Sequence, residues 1–301
     1  YVAVVLIGAA RFLESSLLIS FNISLLILAI IITWYVFFGG IKGVMYTDAL
    51  QGVIMIAAMA FLLVFVYMMF GGFSQGHAAL TNMASLYPAK AAASGGTGWT
   101  TFPTFNSPYW WTLVSSTLIG VGIGVLAQPP LIVRFMTVKS DKELNRSVLI
   151  GGIFVAIIPT TAYLVGALSN VYFMDTVGKI SVDVVGGNID KIIPAFITSA
   201  LPEWFVYVFL LTLIAAAMST ISSQLHTQGS AFGVDIYGSL RKQVKQIGPV
   251  SITRFGILIA VILAIIVAFL LPGSVVALGT TLFFEICAAA FLPGFLGALD
   301  L

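Results

Sequence analysis

The residues of this sequence best suited to chemistry are hydroxyls and backbone carbonyls. In Ala215-Ala216-Ala217-Met218-Ser219-Thr220-Ile221-Ser222-Ser223-Gln224, Ala216, Ser219, Thr220 and Ser223 recur at i, i+3, i+4 and i+7. That spacing puts them on one face of a helix. Two adjacent hydroxyls beside a small residue offer neutral oxygen ligands and leave room for a partner backbone, a donor set that suits a hard alkali cation. The same residue types also line ordinary helix contacts, with their hydroxyls bonded back to the preceding turn.

Three further features carry polar groups into apolar surroundings. Asp48, with Gln51 close by, sits in Gly39-Gly40-Ile41-Lys42-Gly43-Val44-Met45-Tyr46-Thr47-Asp48-Ala49-Leu50-Gln51. Read as opening a helix, it is stabilised by the helix dipole; read functionally, it is a waypoint for a cation leaving inward. Glu285, in Thr281-Leu282-Phe283-Phe284-Glu285-Ile286-Cys287, falls near the middle of an apolar run. An acid there is either a substrate or proton site or a protonated carboxyl bonded to a neighbouring helix. Gln128-Pro129-Pro130 interrupts the hydrogen-bond ladder of its helix, and freed backbone groups of that kind line transport sites. Gly120, Gly122 and Gly124 precede it.

The elements that position these residues follow from composition. Of 301 residues, 60% are hydrophobic and 8% charged, against ~25% charged in soluble domains. A bilayer core ~30 Å thick takes about 20 apolar residues of helix to cross. The apolar runs place spans at 21–39, 47–71, 110–136, 147–172, 204–237, 251–271 and 274–299, after a partial helix at 1–13. They do not alternate as barrel strands do. Arg134 and Arg254 at membrane edges, with Lys42, Lys139, Lys142, Arg146, Arg241, Lys242 and Lys245, fall on one side, and Arg11, Lys90, Lys179 and Lys191 on the other. The basic side is cytoplasmic by the positive-inside rule, which makes this a multi-pass protein of the cell membrane. Two external connections remain, 72–109 and 173–203, with aromatics Tyr109, Trp110 and Trp111 at headgroup level and a short surface helix over Ile189 to Leu201. The net charge of +2 gives no reason to expect nucleic acid. The one cysteine, Cys287, and the separated His77 and His226 form no metal or disulfide pattern, and no enzyme chemistry is indicated.

Taken together, these motifs resemble the sodium:solute symporter family, in collinear order over nearly the whole chain. Gly39 to Gln51 is similar to the family's fifth core helix. Gln128-Pro129 followed by Val133-Arg134-Phe135-Met136 is similar to its sixth, and Ala216 to Gln224 with Asp235-Ile236-Tyr237 to its eighth. Gly8-Ala9-Ala10-Arg11-Phe12-Leu13-Glu14 resembles the pantothenate type within the branch that also holds proline carriers. The resemblance implies an all-α integral membrane fold, part of a five-plus-five inverted-repeat (LeuT-like) helix bundle. It implies that residues 1–301 are a single, incomplete transmembrane domain, from the end of core helix 3 through core helix 10. It further implies sodium as the coupling ion, with no other cofactor, held by Ala216, Ser219 and Thr220, and with Asp48 on its inward path. A small organic solute would meet Val121, Val125, Gln128 and Glu285. Val121 and Val125 stand where proline carriers have a Trp and a Tyr, so this wall is less polar than in proline or sugar carriers. The expected function is sodium-coupled symport by alternating access. The alternatives are a transporter-like sensor domain of a signalling protein and a proton-coupled carrier using Glu285.

Overall fold

In a bilayer the backbone must satisfy its own hydrogen bonds, and this sequence does so with helices alone among the described residues. The computed structural model describes residues 1–237, 249–272 and 275–299. Arg241, Lys242 and Lys245 of the expected basic side lie outside them. The principal helices are α1 (Val2–Leu17), α2 (Phe21–Met69), α3 (Pro108–Ala127), α4 (Pro129–Phe135), α5 (Asp141–Val177), α6 (Glu203–Ser230), α7 (Pro249–Leu270) and α8 (Val276–Leu299). Six of the helices are long and apolar enough to cross a membrane. The two spans expected at 21–39 and 47–71 form α2, which is broken only at Gly40 (φ 57°, ψ −163°). A residue with a β-carbon rarely adopts that φ, so the connection between the two spans contracts from an expected loop to one glycine.

The chain forms two compact units, Tyr1–Met55 with Trp204–Gly279 and Ile56–Glu203 with Thr280–Leu301. In the first, α1 is the core helix: Leu6, Ile7, Ala10 and Phe12 are almost fully buried, and the Phe12 and Phe209 rings lie 5.5 Å apart. α6 and α7 meet through glycines. A methyl group added at Gly229 would come within 2.5 Å of the Ile257 side chain and 2.8 Å of the Thr253 carbonyl. One added at Gly256 would come within 2.6 Å of the Gly229 carbonyl. Small residues are what let membrane helices approach this closely.

In the second unit, Ser107 caps α3 by accepting from the Trp110 amide at 3.1 Å, with Pro108 at the first helical position. Residues Thr112–Gly120 then widen into a π-helical stretch. The helix stops at Gln128 (φ −65°, ψ 134°) and restarts at Pro129 as α4, the interruption that the Gln-Pro-Pro run predicts. α5 opens on an N-cap in which Ser140 accepts from the Glu143 amide at 3.4 Å, and it ends on Gly178 at φ 72°. The 72–109 connection carries helices of its own, Phe73–Asn82 and Ala89–Ala93, which its turn-rich sequence conceals. The helix expected over Ile189 to Leu201 forms at Ile192–Ala200. It is anchored, not loose on the surface: Phe196 and Ile197 are fully buried, and the Tyr172 hydroxyl donates to the Ser199 carbonyl at 2.7 Å.

The glycine crossing gives a direct test. Gly229→Ala should destabilise the protein by about 1–3 kcal/mol, the usual cost of overpacking. Gly152→Ala, whose added methyl meets nothing within 4 Å, should be neutral. Thermal unfolding of the purified protein in detergent should show a lowered midpoint for the first and none for the second; equal midpoints would contradict the crossing.

Candidate functional site

α6 carries its hydroxyl groups in the middle of an apolar helix, where each must find an acceptor. Ser219 Oγ donates to the Ala216 carbonyl at 3.0 Å and Thr220 Oγ1 donates to the same carbonyl at 2.9 Å. The three residues singled out from spacing therefore converge on one point. A hydroxyl that donates its proton keeps two lone pairs. The face thus presents two hydroxyl oxygens, each within a hydrogen-bond length of one shared carbonyl, on three residues that are all partly accessible.

One turn further on, Ser222 and Ser223 repeat the arrangement on the Ser219 carbonyl, at 3.1 and 2.9 Å. These two hydroxyls also face Asp48. Ser222 Oγ lies 3.3 Å from Asp48 Oδ1 and Ser223 Oγ 3.0 Å from Oδ2. Each hydroxyl has one proton, so it divides that proton between carbonyl and carboxylate. From Ala216 through Ser219 to Asp48, oxygens follow one another without an apolar gap.

The structure corrects the expected surroundings of Asp48. The second part of α2 begins directly after Gly40, so Asp48 lies two turns inside the helix, beyond the reach of the terminal dipole. Two serine hydroxyls steady its carboxylate instead. Tyr35 closes the cluster from the other side of the Gly40 break, donating to the Met218 carbonyl at 2.9 Å. Gln51, 8% exposed, holds its Oε1 buried with no hydrogen-bond partner among the described residues. Sequence reading missed Tyr35 and Ser222. Tyr35 carries its hydroxyl inside an apolar run, and Ser222 sits about 100° round the helix from Ser223. The pattern that finds Ser223 therefore skips it.

The solute-facing candidates belong to the second unit. Gly120 and Gly124 of α3 let α8 approach: a β-carbon at Gly124 would strike the Phe284 carbonyl, and one at Gly120 would lie 3.0 Å from Glu285 Cγ. Glu285 is thereby brought against the end of the π-helical stretch, next to Val121. Val121, Val125, Gln128 and Glu285 are all half-buried. Among the described residues Glu285 takes part in no hydrogen bond or ion pair. Arg11 and Glu14 of α1 form an ion pair at 2.8 Å.

A separate cavity of about 670 Å³ lies beside the 72–109 connection, lined by Lys90, Trp99, Tyr109, Tyr163 and Asn170 among others. Asn170 is spent on structure there, accepting from the Ser181 amide and hydroxyl at 3.1 and 2.7 Å. Nearby, burial and the Tyr109 hydroxyl together push the Tyr87 phenol well above its ordinary range. Among the described residues no group of His, Cys, Asp and Glu is arranged to hold a metal ion by such ligands.

Comparison with known proteins places this arrangement in context. The model of the sodium:solute symporter family matches residues 1–299. The chain is 30% identical over 263 residues to a sodium/pantothenate symporter of Haemophilus influenzae, covering 87% of this chain and 50% of that protein. It is 30% identical over 267 residues to a sodium/proline symporter of Staphylococcus aureus, covering 87% of this chain and 48% of that protein. It thus spans about half the length of the curated relatives it matches. Its fold matches the substrate-bound outward-open structure of a Na⁺-coupled sialic acid symporter with a TM-score of 0.72, at 22% identity, over 96% of this chain and 60% of that one. The fold is accordingly that of the LeuT-like helix bundle, and the chain belongs to the sodium:solute symporter family.

Proposed function

We propose that this chain is part of a secondary active transporter that couples inward movement of a small organic solute to sodium. The observation that carries the reading is the convergence of Ser219 Oγ and Thr220 Oγ1 on the Ala216 carbonyl. Neutral oxygens suit a monovalent cation that must be released again in every cycle. In this reading Ala216, Ser219 and Thr220 are sodium ligands. The rest of the cage comes from the half of the protein that the relatives have and these 301 residues do not span. The Asp48 cluster is the next station on the inward path: its carboxylate faces the Ser222 and Ser223 hydroxyls, and Gln51, buried, follows one turn along the same helix. The basic side is cytoplasmic, and a membrane potential of 100 mV drives each inward charge by about 2.3 kcal/mol. Val121, Val125, Gln128 and Glu285 form the solute wall. Its apolar part favours a solute with a hydrocarbon portion over a sugar.

A second reading is favoured by one observation: Glu285 makes no hydrogen bond or ion pair among the described residues and sits at the end of a widened helix. It would carry a proton as the coupling ion. Uptake driven by a pH gradient without sodium, and lost in Glu285→Gln, would favour this reading over the first.

Two variants test the sodium site in the complete protein reconstituted into liposomes. Ser219→Ala combined with Thr220→Ala should raise the sodium concentration that half-saturates solute uptake by about tenfold, equivalent to ~1.4 kcal/mol. An unchanged sodium dependence would overturn the ligand assignment. Asp48→Asn preserves the size of the side chain and its contacts with Ser222 and Ser223 but removes the charge. It should slow sodium-dependent uptake by about tenfold or more while leaving the thermal unfolding midpoint near that of the parent. Parental uptake rates would remove Asp48 from the path.

A further inference from the structure

Within the first unit, α2 and α7 leave a groove between them that changes character along its length. Its first part is a cavity of about 390 Å³ lined by Ile30, Trp34, Phe38, Leu258, Val261 and Ile265 among others. The one hydroxyl on this wall, that of Thr33, turns away to donate to the Ala29 carbonyl at 2.6 Å, so the lining is apolar. The second part is a cavity of about 370 Å³ that shares Phe37 and Phe38 with the first and continues over Gly39, Gly40, His226, Thr253 and Arg254. No carboxylate lines it among the described residues.

Arg254 governs this end. Its Nε donates to the Phe37 carbonyl at 2.9 Å, one of the carbonyls that a helix leaves without a partner in its last turn, here just before the Gly40 break. Its guanidinium stands 5.1 Å from the centre of the Phe37 ring and 6.0 Å from that of Phe38. That geometry uses one face and one N–H of the guanidinium. Among the described residues its Nη groups have no hydrogen-bond partner and no counter-ion.

The dimensions complete the picture. Residues 29–41 rise about 18 Å along the helix, close to the ~15 Å half-thickness of a bilayer's hydrocarbon core. The apolar part therefore spans the acyl region of one leaflet, and the cationic part falls at its headgroups. Two adjoining N–H donors on a fixed planar guanidinium match the oxygens of a phosphodiester.

We infer that this groove is a binding site for an anionic phospholipid, with an acyl chain lying between Trp34 and Leu258 and the headgroup phosphate on the Nη groups of Arg254. A bound lipid of this kind would brace the Gly40 break, because the residue that holds its phosphate is the residue that caps the preceding helix.

Trp34, 68% exposed, provides the readout. The complete protein is reconstituted into symmetric vesicles of phosphatidylcholine containing increasing fractions of brominated phosphatidylglycerol or brominated phosphatidylcholine. Symmetry makes the result independent of which face is cytoplasmic. The Trp34 signal is the part of the quenching lost in Trp34→Phe. Half-maximal quenching should come at an about fivefold lower fraction of the anionic lipid, the selectivity one interfacial cation confers. Arg254→Gln should reduce that preference to less than about twofold, and Arg254→Lys should retain part of it. Lys142→Gln, which removes an exposed charge elsewhere, should leave it whole. Millimolar inorganic phosphate should not relieve the quenching, since it lacks the acyl chain. The proposal is overturned if the Trp34 signal of the parent protein shows no preference for the anionic lipid. It is also overturned if the preference survives Arg254→Gln, falls equally in Lys142→Gln, or is abolished by inorganic phosphate.

Discussion

The contact between Asp48 and the Ser222 and Ser223 hydroxyls is the interaction around which the first unit is organised. An acid two turns inside a membrane helix is tolerable only if its charge is met, and the Ser222 and Ser223 hydroxyls lie 3.3 and 3.0 Å from its two carboxylate oxygens. The solution draws α2 onto α6. α6 in turn must stay close to α7, which Gly229 and Gly256 permit. Each of these approaches depends on the one before it. Broken at the carboxylate, the row of oxygens running down α6 to the Ala216 carbonyl would end in hydrocarbon.

The same economy governs the two helix breaks. A membrane helix that stops leaves carbonyls and amides with no water to satisfy them. At Gly40 the Phe37 carbonyl, freed by the break, accepts from Arg254 Nε. At Gln128 the next helix starts on a proline, which has no amide hydrogen to leave unsatisfied. Gln128 stands at its break, and Asp48 lies two turns beyond the break at Gly40.

Much of this was legible in the sequence. The spans followed from run length, the Gln128 break from its prolines, and the convergence of Ala216, Ser219 and Thr220 from a spacing that any regular helix honours. What escaped was long-range. Nothing local to Asp48 indicates that its partners lie 174 and 175 residues away, and so the helix dipole looked sufficient. Nor does the sequence at Gly39-Gly40 say that a single glycine would replace a loop. The π-helical stretch Thr112–Gly120 lacks any residue pattern of its own. It ends where α8 approaches α3 at Gly120 and Gly124. The helices within 72–109 were concealed for the opposite reason, since the Gly, Ser and Pro residues around them read locally as turns.

Whether the oxygens of α6 hold sodium is the claim on which the functional account stands. Equilibrium binding of radioactive sodium to the purified complete protein addresses it without solute, gradient or knowledge of the substrate. The account predicts saturable binding that potassium does not displace and that Thr220→Ala weakens severalfold at unchanged protein folding. Saturable sodium binding of parental affinity in Ser219→Ala/Thr220→Ala, or none in the parent, would contradict it.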